Sequence, residues 1–164
     1  QDVVQNALDH APHGRGTVGS ATVHPSSRNV IPGKVTFTVD IRHADADELE
    51  HMRQRLLGTC KAIGDKHRVD IEIKEVSYFP PTPFDTDMVD TVREATRESG
   101  YPHMDIVTGA GHDAVYLAGV APTAMIFVPC KDGISHNEIE DATPEDLGAG
   151  AQVLLNAMLQ KAQA

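Results

Sequence analysis

Arg42, Asn29, His112 and His136 are the residues whose type and setting could do chemistry. His136 lies in a loop, Pro129 to Glu138, that follows the apolar run Thr123 to Val128. A position beyond the carboxyl end of a buried strand is where α/β sheets bind ligands, and a neutral imidazole there can ligate a metal. His112 belongs to the turn Gly109-Ala110-Gly111-His112-Asp113, where glycines permit close backbone approach and the imidazole can donate to a developing oxyanion. Arg42 can clamp a carboxylate with two parallel N–H bonds, and Asn29 offers both an amide donor and a carbonyl acceptor. Each also has a bland reading. A lone loop histidine is ordinarily a surface or capping group, the glycine turn needs nothing more than an Asp113 cap, and Asn29 can simply close its own loop. Spacing alone favours a surface ion pair between Arg42 and Asp40 or Asp45.

These residues need elements to position them. Thr17 to His24 has β composition, and Pro25 to Gly33 reads as a loop. From Lys34 to Arg42 the pattern has period two, with Val35, Phe37, Val39 and Ile41 on one face and Thr36, Thr38, Asp40 and Arg42 on the other. Asp45 with Glu48 predicts a capping box, and Leu49, Met52, Leu56, Cys60 and Ile63 follow at helical spacing up to Gly64. Alternation at Val69, Ile71 and Ile73 predicts a third strand, so residues 17 to 76 read β-β-α-β. Phe79-Pro80-Pro81-Thr82-Pro83 cannot propagate a helix or a central strand, which puts a boundary between domains 1–80 and 81–164. Beyond it the spacing predicts a helix from about Asp87 to Ser99, strands at 105–107 and 123–128, and a short helix through Leu117. A last helix starts at Thr143-Pro144, with Leu147, Ala151, Leu154 and Met158 on one face. The fold class is α/β, with too few strands in the second half for an independent sheet.

Composition narrows the partners. A formal net charge of -10 with 14 scattered Lys and Arg argues against a nucleic-acid surface. No apolar run approaches the roughly 20 residues that span a bilayer, and the N-terminal residues lack signal-peptide order. Cys60 and Cys130 make no disulfide framework, so a cytoplasmic location is expected.

Four strings, Ser27 to His43, Gly109 to Ala114, Ala121 to Glu138 and Ala142 to Leu147, stand in an order that resembles the hydantoinase/carbamoylase branch of the M20 metallopeptidases. That branch includes N-carbamoyl-L-amino-acid hydrolases, β-ureidopropionases and allantoate amidohydrolases, and the likeness covers about residues 14 to 160. It implies a lid, or dimerisation, domain with a small antiparallel sheet at 1–80, its first strand missing, followed by the C-terminal part of an M20-like catalytic domain at 81–164. It further implies that His136 ligates one of two divalent metal ions, zinc or alternatively manganese, cobalt or nickel. His112 would contact the reacting carbamoyl group, Asn29 and Arg42 would hold the substrate carboxylate, and the lid would form a homodimer interface. The remaining metal ligands and the catalytic glutamate of such enzymes lie in an N-terminal half with His-x-Asp and Glu-Glu motifs. No Glu-Glu pair occurs here, and His43-Ala44-Asp45 sits at a helix start downstream of the lid strand, where it cannot be the expected element. The chain is therefore expected to be a C-terminal fragment, inactive alone and binding at most one metal weakly. Its complete enzyme would hydrolyse a small ureido carboxylate, without nucleic acid or membrane. The alternatives are a non-catalytic module that dimerises or binds a carboxylate, allantoate as the parent substrate, or an M20 aminopeptidase or deacylase.

Overall fold

The computed structural model describes residues 1–163, which divide into two compact units. The first comprises Gln1–Pro81 with Val107–Ala110, and the second comprises Thr82–Ile106 with Gly111 onward. The architecture is mixed α/β with a small antiparallel sheet. No described helix is long and apolar enough to cross a membrane.

In the first unit, α1 (Asp2–Asp9) precedes the antiparallel pair β1 (Arg15–His24) and β2 (Lys34–Arg42), and α2 (Ala46–His67) follows. Thr17 stands opposite Asp40 and Val18 opposite Val39, but Ser20 is next opposite Thr38, so Gly19 is an extra residue in β1. This bulge changes the parity of the strand. Without it Ala21 and Val23 would face the polar side; with it they oppose Phe37 and Val35. The three-residue step from Val18 to Ala21 is its trace in the sequence.

Helix α1 lies against β1 where there is no side chain to hold it away: a Cβ on Gly16 would come within 2.6 Å of the Val3 carbonyl. Val3, Asn6 and Ala7 of α1 and Leu49 and Met52 of α2 are buried. Asn6 Nδ2 donates to the Met52 carbonyl at 2.8 Å, joining the two helices through a buried amide.

The start of α2 follows the sequence, with one change. Asp45 Oδ1 accepts the N–H groups of Asp47 and Glu48 at 2.9 and 3.0 Å, and these bonds hold its carboxyl below the usual carboxylate range. The reciprocal half of the expected capping box is made by a histidine: His43 Nδ1 accepts the Asp45 N–H at 3.0 Å. Glu48 instead turns its carboxylate toward His10 Nε2, 3.6 Å away. The predicted stop at Gly64 is also displaced, because α2 runs on to His67 and ends on Arg68 in the left-handed region, at φ 57°. Gly64 serves as a slot. A Cβ there would stand 3.1 Å from the Val69 carbonyl and 3.8 Å from the Ile71 side chain, so the returning chain passes close over it.

That returning segment, residues 69–73, carries the alternation of a strand but has no ladder partner among the described residues. The observed order is therefore β-β-α. Alternation reports a suitable surface, whereas a strand needs a neighbour to bond to.

The second unit is built on two helices, α3 (Thr86–Glu98) and α5 (Pro144–Ala162), with the short α4 (Ala114–Ala118) and a 3-10 turn at Lys131–Gly133 between them. Asp85 caps α3 by accepting the Met88 N–H at 2.9 Å, and Gly100 follows its end at φ 74°. Thr143 caps α5, accepting the Asp146 N–H at 3.1 Å while its hydroxyl donates to Asp146 Oδ2 at 2.7 Å. Ala95 packs with Val153 and Ala157, and Val92 and Ile126 lie against them. Small residues let the helices approach. Asn156 Nδ2 donates to Ser99 Oγ at 3.0 Å across the same contact.

The apolar face of α5 read from the sequence is not the one that packs against α3. Leu147, Leu154 and Met158 are 54, 51 and 62% exposed, while Gly150, Val153 and Ala157 make the packed stripe. The helix is apolar on several sides, so periodicity offers two stripes, and packing against α3 selects the one with small side chains. The expected strands at 105–107 and 123–128 likewise find no ladder partner among the described residues. The second run keeps a strand-like alternation. Ile126 packs on the helical core and a Cβ on Gly150 would strike Val128, whereas the Phe127 ring meets His112.

Candidate functional site

Arg42 is the last residue of β2, and its guanidinium makes three hydrogen bonds. Its Nε donates to Asp40 Oδ1 at 2.7 Å and its Nη2 to Asp40 Oδ2 at 3.1 Å, a bidentate pair between residues i and i+2 on one strand face. A third bond runs from Nη1 to the Gly109 carbonyl at 2.7 Å. Hydrogen bonding to Asp40 outweighs desolvation and raises the affinity of the guanidinium for its proton. Both side chains are about half exposed. An ion pair so placed contributes only ~0–1 kcal/mol to stability, so the clamp orients the guanidinium more than it holds the fold.

Asn29 sits in the loop before β2, where its Oδ1 accepts the Ser27 hydroxyl at 2.7 Å. The Gly33 N–H, bonded to the His24 carbonyl at 2.9 Å, closes that loop. Asn29 and Arg42 thus lie at opposite ends of a nine-residue strand, and a rise of ~3.3 Å per residue makes that strand roughly 25 Å long. The structure does not bring them together.

In the second unit, His112 is half-buried in the turn before α4, and its ring meets Phe127 edge to face at 5.5 Å between centroids. An imidazole braced by an aromatic edge is held in orientation. His136 is exposed in the loop after the 123–128 run, with backbone φ of 56°. A left-handed conformation costs a residue with a Cβ ~1–2 kcal/mol, and here the His136 N–H donates to Glu140 Oε2 at 2.7 Å. Lys131 N–H bonds the Asp141 carbonyl at 2.7 Å and closes the base of the same loop. Glu140 escaped the sequence reading. Its signal was an acid four residues after a histidine within a loop of turn formers, which is suggestive only once the histidine is singled out. A second His-x-Asp string, His103-Met104-Asp105, was also passed over; its Asp105 is held by Arg93 at 2.8 Å, which lowers the Asp105 pKa.

Among the described residues no three His, Cys, Asp or Glu side chains gather in a way that holds a metal ion. His136 supplies one donor, and one donor does not make a site. One shallow concavity of 410 Å³ is lined by Pro83, Asp85, Ala121 and their neighbours, and another of 610 Å³ by residues of α2 and the 69–73 segment. Neither contains Asn29, Arg42, His112 or His136.

Known proteins place these features in one family. The chain is 47% identical to the N-carbamoyl-L-amino-acid amidohydrolase of Rhizobium meliloti over 157 residues, 96% of this chain and 38% of that protein. It is 37% identical to the allantoate amidohydrolase of Escherichia coli (strain K12) over 146 residues, 89% of this chain and 36% of the relative. The chain thus spans little more than a third of the curated relatives that it matches. The crystal structure of an amidase of the hydantoinase/carbamoylase family from Burkholderia multivorans superposes with a TM-score of 0.92 at 56% identity, covering 96% of this chain and 38% of that one. Residues 6–160 match the model of peptidase family M20/M25/M40, and the chain belongs to that family.

Proposed function

We propose that the protein carrying this chain is a metal-dependent amidohydrolase that cleaves the carbamoyl amide of an N-carbamoyl-L-amino acid or a related ureido acid. M20-family amidohydrolases are generally metal-dependent. The observation that carries the reading is 47% identity, across 96% of the chain, to an N-carbamoyl-L-amino-acid amidohydrolase. Water is consumed in the reaction, and ammonia, carbon dioxide and the free amino acid are released.

In this reading residues 1–80 are a lid and dimerisation domain, and residues 81–164 are the C-terminal part of the catalytic domain. Arg42 holds the substrate carboxylate through the N–H groups that Asp40 and Gly109 leave over. His112 donates to the carbamoyl oxygen as negative charge builds there, a task suited to a braced imidazole. His136 would hold one of two divalent ions, zinc or alternatively manganese, cobalt or nickel, which would activate the attacking water. The other ligands and the catalytic glutamate come from the length of the relatives that this chain does not span. Asn29, in the loop before β2, stands too far from Arg42 at the strand's other end to share a carboxylate with it in the same copy. A homodimer through the lid, with Asn29 entering the partner's site, reconciles the two.

Residues 1–164 alone are inactive in this reading, because a catalytic metal site ordinarily takes three protein ligands. The deciding assay is the full-length protein on N-carbamoyl-L-amino acids, N-carbamoyl-β-alanine and allantoate, with and without chelator. Turnover of the first, lost to chelation, is expected. Turnover of allantoate alone would favour the reading that the Escherichia coli relative suggests, and stoichiometric metal with hydrolysis by residues 1–164 alone would overturn the assignment of ligands to the rest of the protein.

A further inference from the structure

We propose that Asp40 is a positioning residue for Arg42, occupying one edge of the guanidinium so that the substrate carboxylate is met by the other two nitrogens, Nη1 and Nη2. The inference rests on Arg42 being the carboxylate clamp. A guanidinium carries five N–H donors, one on Nε and two on each Nη. Asp40 takes the Nε donor and one from Nη2, and the Gly109 carbonyl takes one from Nη1. What remains is one N–H on each Nη nitrogen.

Strand geometry builds the pair. Asp40 and Arg42 are two residues apart on β2 and lie on one face of it. The bond to Gly109 comes from a segment 67 residues further along the chain, so the guanidinium is fixed from two separate directions. An arginine side chain ordinarily loses much rotamer freedom when it binds a ligand. Here that ordering is complete before substrate arrives, which is how preorganisation raises affinity. A carboxylate that approached the Nε edge would have to displace Asp40 and then lie beside it, two like charges together. Approach at the Nη nitrogens avoids this and fixes the direction from which the acid group enters.

The test compares the full-length enzyme with D40A, D40N and R42A variants on an N-carbamoyl amino acid and on the same compound with its carboxylate converted to a primary carboxamide. D40A is expected to raise KM for the acid by about tenfold, more than it changes kcat, with a smaller loss on the carboxamide. D40N is isosteric and keeps one acceptor on the Nε edge, so its KM should fall between wild type and D40A. Combining D40A with R42A should cost no more than R42A alone. Equal losses on the acid and the carboxamide, or a D40A KM that matches wild type while R42A raises it, would overturn the positioning role and leave the clamp standing. R42A without effect on KM for the acid would remove the clamp itself, and this inference with it.

Discussion

The hairpin of the first unit and the 123–128 run of the second both carry strand signals in the sequence, and their outcomes differ. Strands β1 and β2 are joined by one loop, and each is the other's partner. Residues 123–128 alternate their contacts as a strand does, but no strand pairs with them among the described residues, and Asp85 N–H meets the run at its start, donating to the Thr123 carbonyl at 3.2 Å. A helix closes its hydrogen bonds within its own segment, and a hairpin closes them across one turn. A strand of an α/β layer depends on segments far away in sequence. Order in the second unit therefore comes from helix packing, and in the first from helices and a ladder together.

Substitutions can break or sharpen that contrast. The largest effect is expected at Met52, which is fully buried between α1 and α2. Met52→Ala should cost ~2–5 kcal/mol, read as lost amide-exchange protection in α1 and α2 with α3 and α5 little changed. Equal losses in both regions would mean that the two units unfold as one. Next come two glycines of α5 that differ only in surroundings. A Cβ at Gly150 would lie 2.6 Å from Val128 Cγ1, whereas nothing lies within 4 Å of one at Gly148. Gly150→Ala should destabilise by ~1–3 kcal/mol through overpacking, while Gly148→Ala should stabilise by ~0.5–1 kcal/mol, both measured by urea unfolding. The same sign for both would deny that the Gly150 face is the packed one.

A smaller loss, ~1 kcal/mol, is expected for Thr143→Ala, which removes the α5 cap. The caps also differ in their response to acid. Backbone N–H bonds from Glu48 and Asp47 depress the Asp45 pKa, so its contribution is fully present above the unfolded carboxylate value and is lost as pH falls through the folded one. The Thr143 hydroxyl does not titrate in that range. Asp45→Asn, which keeps a capping oxygen, should flatten the low-pH fall in α2 protection and leave α5 as it was. An unchanged acid profile for α2 would assign that fall to other carboxylates.

The candidate site was legible to different depths. Arg42 with Asp40 could be read from period two alone, and the bond from Arg42 to Gly109 could not, since nothing in spacing links residues 67 apart. His112 and His136 were legible as imidazoles in turn-rich segments. Their supports, Phe127 and Glu140, were not, because each acts through orientation. The distance between Asn29 and Arg42 follows from strand rise once β2 is fixed, and it separates two residues that the family likeness had grouped.

By itself the sequence determined the helix starts at Asp45 and Thr143, the alternation of β2 and the identity of the polar groups, because capping, period and side-chain chemistry act within a few residues. Tertiary structure alone decided which stripe of α5 is buried, that Gly64 is a slot instead of a stop, and that the Gly109 carbonyl takes a donor of Arg42. Those outcomes depend on what another segment presents at contact distance, and no local pattern encodes that.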